Sequence, residues 1–505
     1  MMNSLPAFWP RGLAALAGLL LCFAGIWHLE RERRGLTISP LLVGSTPATV
    51  YQRIGAAKAP AVIIAHGFAG SRQLMEAYAL TLAQAGYVVI SFDFEGHGRN
   101  PTPMSGDVTR TDGTTQLLMR EISRVTDAAL ALPGVDGRIA LLGHSMASDI
   151  IVRRAIADPR IAATIAISMF SKAVTMAEPR NLLMMTGAWE PHLRKDALRN
   201  ARLAEPSAVE GETIGDPAKN TGRRAIVAPS VEHVGVLYSA TALTEARAWL
   251  DAVFGRTSSG PVAEPVAATG GWIVLLLSGI VLMAWPLSCL LPRSETAPST
   301  LSLRTFLVAV VVPAVLTPVL LTAVDTHFLP VLVADYLAVH LLVYGIVSIG
   351  LLRWYGVRIA RVAWLSGFAL AAYGILIFGG ALDRYVASFM PNAARLPIII
   401  AIAIGAVPYM LADSLVSEGG RAALWRVLFA RGIFLASLGA AVALDVHRLF
   451  FLLIIIPVIV LFFIIFGLMG GFVGRRTGSP FAAGIGLGFI LAWALGVSFP
   501  MFAPS

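Results

Sequence analysis

Eight apolar segments succeed one another in the second half of the chain, at about 271–291, 305–323, 330–352, 363–382, 396–414, 427–445, 449–471 and 480–500. Each is long enough to cross a hydrocarbon core of about 30 Å. A ninth, Gly12 to Trp27, lies near the start, preceded by Arg11 and followed by Glu30-Arg31-Glu32-Arg33-Arg34. No small-x-small cleavage signal precedes that charged cluster, which favours an uncleaved anchor over a signal peptide. The mean hydropathy of +0.74 and the 14% of charged residues exclude a wholly soluble protein of 505 residues.

Between the first span and the other eight the pattern changes to short apolar runs closed by glycine-rich turns. Ala61 to Ala65 reads as a buried parallel strand and ends in His66-Gly67-Phe68-Ala69-Gly70-Ser71. Such an exit can present backbone N–H groups to an anion. Tyr87 to Phe92 leads into Asp93-Phe94-Glu95-Gly96-His97-Gly98-Arg99. Arg138 to Leu142 leads into Gly143-His144-Ser145-Met146-Ala147, and an amphipathic segment begins near Ser148. A serine on a tight strand-to-helix turn is a nucleophile candidate, and the small Gly143 and Ala147 let strand and helix approach each other.

In this order the three motifs resemble those of the α/β-hydrolases, over roughly residues 38–256. The resemblance implies an α/β domain with a mostly parallel eight-stranded sheet, Ser145 as nucleophile, and the backbone N–H groups of Phe68 and Met146 as oxyanion hole. In this family the acid and the histidine follow the serine, at the ends of later strands. Downstream of Ser145 the soluble part holds only His192 and His233. His233 follows the strand-like Arg224 to Ala228 and precedes the helix-like Leu237 to Phe254, where the family keeps its general base. His192 sits within two residues of the best acid candidate. That candidate is Glu190, since Thr186-Gly187-Ala188-Trp189-Glu190 resembles the family's Gly-x-x-Asp with Glu for Asp; Asp196 is the alternative. The chemistry asks for these types: a serine hydroxyl is a weak nucleophile near neutral pH, so a histidine must take its proton and a carboxylate must hold the imidazole in the right tautomer. Taken singly, Ser145 could be a helix N-cap and His233 a loop histidine; four features in family order favour catalysis. His97 reads as a turn residue, Asp149 as a solvated helix residue, and His144 as a support for the elbow.

These readings divide the chain into an anchor (1–37), an α/β-hydrolase domain (38–256), a Ser-, Gly-, Pro- and Ala-rich linker (257–269) and an all-α polytopic region of eight helices (270–505). Loops after the second, fourth, sixth and eighth spans carry Arg293 and Arg304; Arg353, Arg358 and Arg361; Arg421 and Arg426; Arg475 and Arg476. The positive-inside rule makes this set cytoplasmic, with the amino terminus inside and the hydrolase outside, periplasmic if the membrane is a bacterial inner membrane. Arg31, Arg33 and Arg34 point the other way. Cys22 and Cys289 both fall in apolar spans, so neither a disulfide nor a metal site is expected, and no cofactor. The net charge of +9 is spread around the spans without the basic-aromatic interleaving that nucleic acid needs, so the bilayer is the expected partner. Nothing bears on oligomeric state.

In the helical region Asp325-Thr326-His327 and Asp445-Val446-His447 lie 120 residues apart, Pro286 and Pro408 122, and Ser294-Glu295 and Ser417-Glu418 123. Nearly one offset suggests two parallel four-helix units. Asp325, His327, Asp445 and His447 could bind a divalent metal or a lipid head group, or simply cap helix ends, which is the favoured reading. Asp335 and His340 share the fourth span, about 140° apart around a helix, so each needs a partner from a neighbouring helix. As ionisable groups inside a span they rank as functional candidates, with Asp413 weaker. Only about ten residues separate Phe170 from Asn181, too few for a helical cap, which implies an open site. The expectation is a membrane-embedded serine hydrolase acting on a lipid or acyl ester. An acyltransferase with the same triad, a transporter with an accessory hydrolase domain, and a docking module are the alternatives.

Overall fold

The computed structural model describes residues 8–106, 111–257, 268–294, 300–326, 328–331, 333–358 and 362–503. Most of the 257–269 linker and His327 lie outside the described residues. The chain forms two compact units. One comprises Gly25–Val274 with Asp383–Ser388 and Pro500–Ser505; the other comprises Met1–Ala24, Leu275–Leu382 and Phe389–Phe499.

The first unit is built on one twisted sheet. Its strands are β1 (Leu36–Val43), β2 (Thr46–Arg53), β3 (Ala59–Ala65), β4 (Val88–Phe92), β5 (Val135–His144), β6 (Ile161–Ile167), β7 (Leu182–Gly187), β8 (Thr213–Ile214) and β9 (Arg223–Ala228). They lie in the order β1-β2-β4-β3-β5-β6-β7-β9-β8. The pairs β1–β2, β2–β4 and β8–β9 are antiparallel and the other five are parallel. The resemblance implied eight strands; the ninth is the two-residue edge strand β8, too short to show in a hydropathy pattern. β3 and β4 are buried along their whole length, as parallel strands covered on both faces must be, and their sequences APAVIIA and VVISF carry no polar alternation.

Two helices, α2 (Glu76–Gln84) and α6 (Ala240–Phe254), cover one face, where Tyr78, Leu82, Leu243 and Leu250 pack against Val62, Ile64, Leu142 and Ile165. Ser239 caps α6 through the Ala242 N–H, and Gly255 ends it in the left-handed conformation. On the other face α4 (Met146–Ala157) and α5 (Pro191–Arg202) place Val152, Ala197 and Ala201 against Ala166, Met184 and Ala225, and α3 (Gln116–Leu130) packs on α4. The parallel strands therefore end together, and every turn singled out by sequence emerges at their carboxyl ends.

Among the described residues nine helices are long and apolar enough to cross a membrane: Trp9–Arg31 and the eight between Thr269 and Ser498. In the second unit Ala393–Val416, Ala334–Trp354 and Pro480–Ser498 are the most enclosed. Small residues set the closest approaches. A Cβ on Gly484 would lie 2.7 Å from the Leu411 Cα, and one on Gly488 2.6 Å from the Val407 Cα, so these two helices meet backbone to backbone.

Candidate active site

Ser145 sits between β5 and α4 with φ 53° and ψ −118°, a region that costs an L-residue about 1–3 kcal/mol. The surroundings hold it there. Its N–H donates 2.9 Å to the Ile167 carbonyl of β6, and its carbonyl accepts the Ser148 N–H at 2.9 Å. Gly143 is required by the crossing of strand and helix: a Cβ there would press to 3.0 Å from the Ala147 carbonyl and Ile151.

His233, beyond the end of β9, brings Nε2 to 2.9 Å from Ser145 Oγ, and its Nδ1 lies 2.6 Å from Glu190 Oε1. Glu190 Oε2 accepts the Gly187 N–H at 2.7 Å and the Ser168 hydroxyl at 2.8 Å. Burial works against the Glu190 charge, but the hydrogen bonds from His233, Gly187 and Ser168 outweigh it and hold the carboxyl below its ordinary range. An anionic Glu190 accepts a hydrogen bond from the Nδ1–H, which fixes the tautomer in which Nε2 is free to accept from Ser145. The Glu190 side chain is 5% exposed and that of His233 42%, so the carboxylate is enclosed while the imidazole is open to solvent.

The structure thus brings together Ser145, His233 and Glu190. Asp196 lies on α5, ion-paired with Arg199 at 2.8 Å, and His192 is exposed on the same helix. Met146 is the first residue of α4, so its N–H is among those a helix leaves without an internal acceptor. The loop carrying Phe68 runs against the nucleophile: a Cβ on Gly67 would lie 3.0 Å from that of Ser145. His97 packs edge-on against Phe68, ring centroids 5.7 Å apart.

Three supporting residues have roles that sequence alone did not assign. Ser168, one residue past β6, holds the acid. Fully buried His66 is kept neutral by burial; its Nδ1 donates 2.8 Å to the Gly67 carbonyl while Nε2 accepts the Phe94 N–H at 3.1 Å, joining the two turns. Buried Asp93 organises the second turn, accepting the Arg72 and Arg99 N–H groups at 2.8 and 3.0 Å and pairing with the Arg72 guanidinium. His144, expected to support the elbow, has its pKa pushed down to about 4 by burial and by His233, and bonds through Nε2 at 2.9 Å to the His233 carbonyl. It steadies the base through its backbone.

In the helical unit the singled-out residues do not converge. Asp335, in the first turn of the helix Ala334–Trp354, accepts the Phe328 and Tyr336 N–H groups at 3.2 and 2.7 Å, and Asp445 caps the short helix Val446–Leu449 by accepting the Arg448 N–H at 3.1 Å. Asp325 and His447 are exposed. His340 is fully buried, 3.2 Å from Ser437 on the helix Leu424–Leu444. Asp413 pairs at 3.0 Å with Arg431, a mid-span charge that the sequence reading passed over. Among the described residues no group of three or more His, Cys, Asp or Glu is placed to hold a metal ion.

Residues 56–205 match the family model described as serine aminopeptidase, S33. Among solved structures the fold is similar to an epoxide hydrolase of Vigna radiata (20% identity over 29% of this chain and 41% of that one, TM-score 0.22). It is also similar to a Thermus thermophilus protein (18% identity, 43% and 97% covered, TM-score 0.31) and to E-2-(acetamidomethylene)succinate hydrolase (12% identity, 43% and 100% covered, TM-score 0.30). The chain thus spans well under half the length of the first of these. No curated protein matches it.

Proposed function

We propose that this chain, an α/β hydrolase over residues 38–256, is a membrane-bound serine hydrolase that cleaves a lipid or other acyl ester. The observation that carries the reading is the continuous relay from Ser145 Oγ through His233 to Glu190, at 2.9 and 2.6 Å. Ser145 Oγ attacks the acyl carbonyl as its proton passes to His233 Nε2, and the anionic Glu190 stabilises the imidazolium. The carbonyl oxygen, now negative, is met by the N–H groups of Phe68 and Met146. Collapse expels the alcohol, which takes the proton from His233. Water, deprotonated by His233, then releases the acid and restores Ser145.

The substrate class follows from the surroundings. The segment between β6 and β7 contains no helix, so no cap covers the site from there. Phe170, Trp189 and Val234, just beyond the ends of β6, β7 and β9, are exposed apolar side chains suited to an acyl chain. Nine apolar helices on the same chain would hold the site at a bilayer. In this reading the hydrolase faces outward, as the arginine-rich loops require. Arg33, from the cluster that points the other way, is buried in an ion pair with Glu76 and has a structural use.

A fluorophosphonate probe should label the wild-type protein and not Ser145→Ala; labelling that survives would end the assignment. Lipid profiles of cells lacking the protein, beside cells carrying Ser145→Ala, would identify the ester. The same relay can cleave amides, and the description of the matching family, an aminopeptidase, favours peptides as a second reading. Turnover of aminoacyl nitroanilides exceeding that of nitrophenyl esters would select it. For orientation, alkaline phosphatase should be active when fused near residue 260 and inactive near 294; the reverse would turn the hydrolase inward.

A further inference from the structure

Two stretches far from the catalytic motifs in sequence fold into the same compact unit: Asp383–Ser388, at the end of one apolar helix, and Pro500–Ser505, after the last. Both bind the turns that carry the site. The Ser388 N–H donates 3.0 Å to the buried Ser71 Oγ, and Ser71 is the last residue of the loop that begins at His66. Asp383 pairs with Arg99, whose own N–H is held by Asp93. On the other side the Met501 N–H donates 2.8 Å to the Gly96 carbonyl. The Met501 carbonyl accepts the Met104 N–H at 2.8 Å, and the Ala503 N–H donates 2.7 Å to the Met104 carbonyl. The fit at Gly96 is close, since a Cβ there would lie 2.5 Å from the Met501 carbonyl oxygen. His97, the next residue, packs its ring against Phe68 and against His66, at 5.7 and 5.1 Å between centroids.

These contacts lie outside the strand pairing, and they reach the loop 66–71 that carries Phe68, the turn 93–99 whose His97 packs against it, and Met104 just beyond. An oxyanion donor works only if it already stands where the negative charge forms, and a displacement of about 1 Å at such a site costs on the order of 100-fold in rate. We propose that Ser388 and Met501 are positioning residues for the oxyanion hole. Ser388 fixes the far end of the Phe68 loop through Ser71, and Met501 fixes Gly96 and so keeps His97 packed against Phe68. Catalytic power is thereby made dependent on segments that follow two of the apolar helices, although neither segment touches the nucleophile. This inference rests on the serine-hydrolase reading.

The test uses the full-length purified protein and a short soluble nitrophenyl ester, so that delivery of lipid plays no part. Ser71→Ala removes the acceptor for the Ser388 N–H, Ser71→Thr keeps it, and Met501→Pro removes the donor to Gly96. Ser71→Ala and Met501→Pro should each lower kcat about 10- to 100-fold with KM within about twofold, and should weaken a trifluoromethyl ketone transition-state analogue by the same factor as kcat/KM. Ser71→Thr should recover most of the rate. A folding defect alone would reduce the titratable active sites and leave kcat per site unchanged, which overturns the proposal. So would folded variants whose kcat and analogue affinity stay within about twofold of wild type. If the wild type turns over no ester, or Ser145→Ala still does, it is the serine-hydrolase reading that fails.

Discussion

The two units treat buried polar groups in opposite ways. In the unit built on the sheet they are concentrated at one end of the sheet and interlinked: Glu190 is held by three donors, and Asp93 by two N–H groups and a guanidinium. In the helical unit they are spread along the helices and met locally: Asp413 by Arg431, His340 by Ser437, Glu418 by Arg426 and the Leu301 N–H, and Arg395 by the Gly496 and Phe499 carbonyls. A sheet whose parallel strands end together gathers many turns, each with free backbone donors, into one place. A helix consumes most of its own backbone groups, so a polar side chain in mid-helix must find its partner on a neighbouring helix, and only near a helix start, as at Asp335, are backbone N–H groups left for it. A network gathered at one place suits chemistry; partners spread along a bundle suit packing.

The comparison breaks first if chemistry resides among the helices. Ser145→Ala should lower ester turnover by about 10⁶-fold, while Asp335→Asn and His340→Gln leave it within about threefold. Turnover that tolerates the first and fails with the others would reverse the argument. Glu190→Gln should cost about 10⁴-fold, because the imidazole loses the anion that orients it, whereas Asp196→Asn should cost nothing measurable. A larger loss at Asp196 would exchange the acids.

The helical pair is sharpened by removing one partner. Arg431→Met strands a buried carboxylate and should destabilise the protein by about 3–5 kcal/mol, read by thermal unfolding in detergent, with Asp413→Leu in the same chain restoring most of the loss. Equal stability of the single and double variants would show that the pair is solvated. The smallest effect is one of pH in the unit built on the sheet. Burial pushes the Glu121 carboxyl up to about 7, against the hydrogen bonds from the Thr46 hydroxyl and the Glu95 N–H. From its ordinary 4.5 up to about 7 the folded state then holds more protons than the unfolded chain, so stability should fall as pH rises through that window, by up to about 3 kcal/mol. Glu121→Gln should flatten this slope and be the more stable protein at pH 8. An unchanged slope would assign it to another group.

Much of the site is legible along the chain because turn chemistry is local. Gly143 and Ala147 flank Ser145 as an elbow demands, and Gly98 is excluded from bearing a side chain by Asp93, since a Cβ would lie 2.5 Å from its carboxyl carbon. In sequence Ser168 is not singled out and His66, though part of the loop motif, has no role of its own, because a serine or histidine after a strand has no distinguishing pattern until its partner is known. For the Asp-x-His pairs the favoured reading is helix capping, and Asp445 does cap a helix start, its carboxylate accepting the Arg448 N–H three residues on.

By itself the sequence determined the number of apolar spans and the order of the catalytic turns, because hydropathy over some twenty residues and the sterics of a tight turn are properties of short windows. Tertiary structure decided which carboxylate reaches His233. The Gly187 N–H and the Ser168 hydroxyl orient Glu190 toward the imidazole, whereas Asp196 turns to Arg199 on its own helix. It also decided that Ser437 answers His340, that Arg431 answers Asp413, and that residues 388 and 501 grip turns some 300 to 400 positions earlier. Each of these pairings depends on which elements lie side by side, and the chain's local free-energy preferences are nearly indifferent to that until the cores have packed.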